Sequence, residues 1–200
     1  MEGTLLKSLE VEGVNGIANG LSTPKLADYN ADGVADYAYA GDLQGNVWRF
    51  DLLRNGRSDS APFTTEDDGE NAISDFEVAY GGAPLFSAVA SVDTTRQPIT
   101  SAPSLVLHPT GFGYLVVFGT GKFFETGDKE GDKSFAQTVY GIWDKQTLGE
   151  EASDPNIARS SLQEQTITTQ TTVEANGTTR QGLVLSNNNV SWQGSDTQAA

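Results

Sequence analysis

Apolar residues in this chain come in short runs rather than at helical spacing. Val, Tyr, Phe, Trp and Thr cluster briefly and are broken by Gly, Asn, Asp and Pro, and no stretch holds a helical apolar period for several turns. That pattern predicts an all-β chain. Strands are expected over Pro24–Ala27, Asp36–Ala40, Asn46–Asp51, Leu85–Ser91, Ser104–His108, Tyr114–Phe118, Thr138–Trp143, Ile167–Val173 and Leu183–Ser186. Leu43-Gln44-Gly45-Asn46 reads as a hairpin turn. After it, Val47, Arg49 and Asp51 alternate with Trp48, Phe50 and Leu52, so Trp48 and Phe50 are expected in a core and Arg49 in an ion pair. The Thr/Gln-rich stretch from Ser160 to Thr179, with Asn176-Gly177 near its end, fits either a strand-turn-strand hairpin or a mobile insertion.

The runs repeat. Ser22-Thr23-Pro24-Lys25-Leu26 answers to Ser101-Ala102-Pro103-Ser104-Leu105, 79 residues on. Ala38-Tyr39-Ala40-Gly41-Asp42 answers to Val116-Val117-Phe118-Gly119-Thr120. Trp48-Arg49-Phe50-Asp51 answers more loosely to Gly141-Ile142-Trp143-Asp144, after an insertion around Glu125–Ser134. A strand, a turn, an apolar strand ending in glycine and an aromatic strand ending in aspartate make an antiparallel meander of the kind repeated in β-propellers. The expected blade units run from about 14 to 91 and from about 99 to 190, with an acidic linker at about 54–78. Propellers need about four to eight blades to hide their sheet edges, so two units imply a partial propeller completed by other blades of a parent chain.

Composition narrows the chemistry. With 12 Lys and Arg against 27 Asp and Glu, a formal net charge of -15 repels phosphate backbones and anionic lipid, which argues against nucleic acid and membrane surfaces as partners. The absence of cysteine removes disulfides, thiolate zinc sites and cysteine nucleophiles. The single histidine, His108, lies before Pro109 at the end of an apolar run and is expected to be a strand-end residue rather than a catalytic one. No apolar run is long enough for a membrane-spanning helix. Met1-Glu2-Gly3-Thr4 lacks the plan of a signal peptide, so any export signal is expected outside this chain.

One loop carries a metal-binding pattern. Asp28-Tyr29-Asn30-Ala31-Asp32-Gly33-Val34-Ala35-Asp36 places oxygen side chains at loop positions 1, 3, 5 and 9, with glycine at position 6. Calcium takes six to eight hard oxygen ligands, and alternate residues curling round a glycine supply them about one centre. Asp28, Asn30, Asp32, the Val34 carbonyl and Asp36 are the expected ligands, with Gly33 permitting the turn. Position 12 is Tyr39, so the closing glutamate of a helix-loop-helix calcium hand is missing, and the flanks read as strands. Three carboxylates and one amide suggest an affinity of roughly 10⁻⁶ to 10⁻⁴ M. A similar run, Asp128-Lys129-Glu130-Gly131-Asp132, lacks glycine at position 6 and is a weaker candidate for a second ion.

Taken together, Gly20 to Leu52, Phe118-Gly119-Thr120-Gly121-Lys122-Phe123-Phe124 and Gln137-Thr138-Val139-Tyr140-Gly141-Ile142-Trp143-Asp144 resemble the C-terminal propeller of the PilC/PilY type IV pilus biogenesis proteins. The resemblance implies an exported Gram-negative protein, associated with the outer membrane, the pilus tip and the cell surface. It implies a non-enzymatic role in opposing pilus retraction, in twitching motility and in adhesion, with calcium in the matching loop. Minor pilins or pilus tip components, and a host-cell surface engaged through the full-length protein, are the implied partners. The Arg-Gly-Asp motif of some relatives is absent, which leaves integrin binding without support. Two other readings share the calcium loop: a blade pair from a quinoprotein-type dehydrogenase and an integrin-like extracellular propeller.

Overall fold

The computed structural model describes residues 5, 7–29, 31, 33–52, 76–89, 95–130, 136–145, 155 and 157–192. Strands joined by turns and short 3₁₀ segments make up the regular structure, and no α-helix occurs among the described residues. β1 (Lys25–Ala27), β2 (Tyr37–Gly41), β3 (Asn46–Asp51) and β4 (Glu77–Val78) form an antiparallel sheet in chain order, and β5 (Phe86–Ser87) pairs with the start of β3. A second antiparallel sheet joins β6 (Ser104–Leu107), β7 (Tyr114–Gly119) and β8 (Val139–Asp144). β9 (Ile167–Val173) and β10 (Thr179–Leu185) form a hairpin of their own. Both larger sheets lie in one compact unit, Met1–Arg159, and the hairpin lies in another, Ser160–Ala200.

The all-β expectation holds, with differences that have physical causes. β4 sits at the end of the expected acidic linker, where Glu77 and Val78 pair with Asp51 and Phe50; the linker from 54 to 75 lies outside the described residues. The strand expected at Leu85–Ser91 is regular only over Phe86–Ser87, and its last two residues also lie outside the described ones. Of the two readings of the 160–179 stretch the hairpin is the observed one. Its second strand reaches back to Thr179 because both faces are exposed, so polar residues fit as well as apolar ones. The hairpin included in the expected second blade unit is therefore a separate sheet, and the three-stranded sheet ends at β8.

Alternation in β2 and β3 gives the first sheet two different faces. Ala38 stands opposite Phe50 and Ala40 opposite Trp48, small residue against large, and these four form a buried cluster covered by Leu9, Val11, Leu52 and Val78. Burial of each large side chain contributes about 1.5–3 kcal/mol. On the other face Tyr37 stands opposite Asp51 and Tyr39 opposite Arg49, and this polar-aromatic face meets the second sheet. There Tyr114, Val116, Phe118, Tyr140, Ile142 and Asp144 point inward, and Phe86 packs on the rings of Phe118 and Tyr140.

At this junction the two repeats meet through one cation. Asp51 and Asp144 end the equivalent strands β3 and β8, and Arg49 pairs with both, its Nε 2.8 Å from Asp51 and its Nη1 2.9 Å from Asp144. The Tyr39 and Tyr80 hydroxyls donate to the Asp144 carboxylate at 2.8 and 2.6 Å. The Arg49 guanidinium lies over the Tyr80 ring, 4.4 Å from its centroid. Burial penalises the Asp144 charge, yet Arg49 and the two hydroxyls outweigh it and hold the carboxyl below the usual range. Burial, with Asp144 beside them, pushes both tyrosine hydroxyls well above their ordinary value. A fully paired network of this kind specifies how the sheets dock, and removing one partner strands a buried charge.

Candidate metal centre

The loop singled out in the sequence joins β1 to β2. Asp36 closes it: its amide donates to the Ala27 carbonyl at 2.8 Å, and its own carbonyl accepts from Leu52 N at 2.9 Å, just past the end of β3. The last expected ligand is thereby fixed to both neighbouring strands. Its carboxylate is buried, with the residue 2 % exposed, and Oδ2 accepts the Tyr29 amide. Asp28 Oδ2 in turn accepts the Gly33 amide at 2.9 Å, across the loop. Ala31 and Gly33 are both left-handed, at φ 63 and 96, which folds the backbone back on itself. Glycine adopts that conformation without penalty; alanine does so at a cost of about 1–2 kcal/mol, so the surroundings must hold it there.

Asp28, Gly33, Val34 and Asp36 are thus placed in one closed loop, while Asn30 and Asp32 lie outside the described residues. Among the described residues no group of three or more His, Cys, Asp or Glu is gathered about a point. The donors that are visible suit a hard cation. Asp36 is a carboxylate taken almost wholly out of water, a costly arrangement unless donors or positive charge balance it, and the loop adds oxygen side chains rather than a Lys or Arg. The second sheet contributes two contacts that the sequence did not suggest. The Tyr114 hydroxyl donates to the Asp28 carbonyl at 3.2 Å, and Gly113 N donates to the Tyr29 hydroxyl at 3.3 Å. Burial, then the nearby Asp36, Tyr29 and Asp28, push the Tyr114 hydroxyl up to about 12. The only hint in the sequence is the single aromatic residue of the loop, Tyr29.

Other acidic positions have different company. The Asp42 carboxylate accepts five N–H groups, from Asn19 Nδ2, Gln44 N, Asn46 N, Asn46 Nδ2 and Trp48 Nε1, at 2.8–3.0 Å. Protein donors satisfy it, and it anchors the β2–β3 turn. Asp128, from the weaker second-ion candidate, accepts the Phe124 and Glu125 amides and pairs with Lys122 at 3.1 Å. The two amides and Lys122 hold its carboxyl below the usual range, and Asp132 lies outside the described residues. Trp48 and Phe50 are core residues and Arg49 an ion-pair partner, as expected. His108 sits just beyond β6, buried and stacked on Trp143 at 3.6 Å between ring centroids.

Comparison with known proteins agrees with this architecture. The chain is 52% identical over 195 residues to the type IV pilus biogenesis factor PilY1 of Pseudomonas aeruginosa strain PAO1, covering 97% of this chain and 17% of that protein. A PilY1 homolog from Xylella fastidiosa is 34% identical over 127 residues, 63% of this chain and 8% of its own length. The chain therefore spans under a fifth of the curated Pseudomonas relative. The crystal structure of the Pseudomonas aeruginosa PilY1 C-terminal domain superposes with a TM-score of 0.84 at 50% identity, covering 98% of this chain and 40% of that one. With residues 1–180 also matching the family model of the PilY1 beta-propeller domain, the chain belongs to the PilY1 β-propeller family.

Proposed function

We propose that this chain is a calcium-binding, non-enzymatic module of a type IV pilus biogenesis protein, which supports pilus extension against retraction and, through that, twitching motility and adhesion. The closed Asp28–Asp36 loop carries the reading, because a buried aspartate, a left-handed alanine and a left-handed glycine curl an oxygen-rich sequence into one turn. The pilus role rests on the relatives, which are named as biogenesis factors rather than as enzymes. Asp28, Asn30, Asp32, the Val34 carbonyl and Asp36 would hold the ion, with Gly33 at the bend. Bound calcium would supply a fixed divalent charge that draws these oxygens together; the chain supplies the strand ends that hold them. The parent protein would act outside the cell, at the outer membrane or the pilus tip, alongside minor pilins, its remaining blades and, in adhesion, a host-cell surface.

Asp32→Ala, introduced into the parent protein of a piliated bacterium, tests this reading. Surface pili should change in number in a retracting strain and recover when the retraction motor is removed, and the purified chain should lose calcium binding in a calorimetric titration. Unchanged piliation together with unchanged calcium binding would refute it.

A further inference from the structure

We propose that the calcium loop is assembled from both sheets, with Tyr114 and the 108–113 turn of the second sheet as its positioning groups, so that loading the loop is felt at the His108–Trp143 stack. The proposal rests on the calcium reading above and extends it to residues far away in sequence.

The contacts form one continuous path. Asp36 holds the Tyr29 amide through its carboxylate, and the Tyr29 hydroxyl accepts Gly113 N. Beside it the Tyr114 hydroxyl donates to the Asp28 carbonyl, and the Tyr29 and Tyr114 rings meet edge to face with centroids 5.5 Å apart. The start of the loop, Asp28 and Tyr29, is therefore tied to the adjacent residues Tyr114 and Gly113, and Asp36 at its end joins the path through the Tyr29 amide. The turn that receives these ties is itself cross-braced. His108 N donates to the Gly113 carbonyl at 3.0 Å, Gly111 N to the His108 carbonyl at 2.8 Å, and the His108 ring nitrogen Nδ1 lies 2.7 Å from the Thr110 hydroxyl. Trp143 closes it from β8, its Nε1 donating to the Phe112 carbonyl at 2.9 Å while its ring stacks on His108 with the planes 4° apart.

A turn braced in this way has little internal slack, so a shift of Asp28 or Asp36 reaches Trp143 through Tyr29 and Gly113 rather than dissipating within it. Coupling is a property of both ends of the path, so the experiment reads both. The converse also holds: whatever fixes the turn against the first sheet prearranges the Asp28 carbonyl, and a prearranged loop binds more tightly because less ordering is left to do.

The chain is labelled with 5-fluorotryptophan and titrated with calcium chloride, the ¹⁹F resonances of Trp48, Trp143 and Trp192 being assigned by single Trp→Phe variants. Binding is followed in parallel by calorimetry. The expected result is that the Trp143 resonance moves with the calorimetric midpoint. Tyr114→Phe, which keeps the ring and loses only the hydroxyl, should weaken calcium binding about two- to tenfold, the range for one hydrogen bond, and reduce the Trp143 shift. Calcium binding with an unmoved Trp143 resonance and a Tyr114→Phe titration that superposes on the parent would overturn the coupling and leave the calcium reading intact. Calorimetry without any calcium signal would overturn the calcium reading, and the coupling with it.

Discussion

Strand β2 runs between two buried aspartates, Asp36 just before it and Asp42 just after it. Both carboxylates have lost their water, and the chain meets that cost differently at each end. Around Asp42 the neighbours are donors: Asn19, Gln44, Asn46 and Trp48 deliver five N–H groups to two oxygens. Asp36 accepts the Tyr29 amide, and the sequence of its loop adds oxygen-bearing side chains, Asp28, Asn30 and Asp32, of which Asn30 and Asp32 lie outside the described residues. A carboxylate surrounded by N–H groups is a complete structural part. One whose loop sequence carries more oxygen side chains is a candidate for a cation, and this difference marks off the turn anchor from the candidate site.

The contrast breaks most visibly if protein-satisfied carboxylates are removed. Asp144→Ala should cost about 3–5 kcal/mol because it leaves Arg49 buried with a partner lost, and the loss should be the same in EGTA as in millimolar calcium. Urea unfolding in both buffers measures it. Acid should act on the same group. The carboxyl of Asp144 is depressed in the fold, so the stability it contributes is complete above the ordinary aspartate value of about 3.9 and is lost as pH falls through its lower folded value. Denaturation midpoints measured from neutral pH downward should therefore hold level and then decline in strong acid.

At the other end of β2 the expected dependence is on the ion. Calcium at a hundredfold excess over its dissociation constant should add about 2.7 kcal/mol of stability, and Asp32→Ala should abolish that increment while changing the stability measured in EGTA far less. Thermal melts with and without calcium would show it; melts of the parent chain that ignore both calcium and EGTA would remove the distinction between the two ends. The smallest effect sharpens the comparison through glycine. Gly33 is left-handed with open space where a Cβ would go, so Gly33→Ala should cost only the conformational term, about 1–2 kcal/mol. Gly45, in the Asp42 turn, is also left-handed, but a Cβ there would meet the Ala88 and Gln97 carbonyl oxygens at 2.8 and 2.7 Å. Gly45→Ala should be the more damaging of the two in the same urea assay.

The strands, the β2–β3 turn and the candidate loop were legible because their signals are local. Alternation places Trp48 and Phe50 on one face, and Asp28 to Asp36 spell out a ligand spacing within nine residues. What escaped were pairings between distant segments. Arg49 was recognisable as an ion-pair residue, yet nothing nearby distinguishes Asp144, 95 residues away, from the many other acids in the chain. Tyr114 meets Asp28 across 86 residues for the same reason. β4 leaves no sequence signal because a two-residue strand at the end of an acidic run has no period to detect, and β10 extends beyond its apolar residues because an exposed hairpin imposes no apolar alternation.

The arginine shared by Asp51 and Asp144 also fixes an order. Where the first repeat carries Arg49, the second carries Ile142, although both end in aspartate. Two copies of the second repeat set side by side would bring acid against acid with no cation between them, whereas the pair as it stands shares one arginine between two aspartates. The meanders are alike in shape but not interchangeable, because only the first carries the charge that both strand ends require.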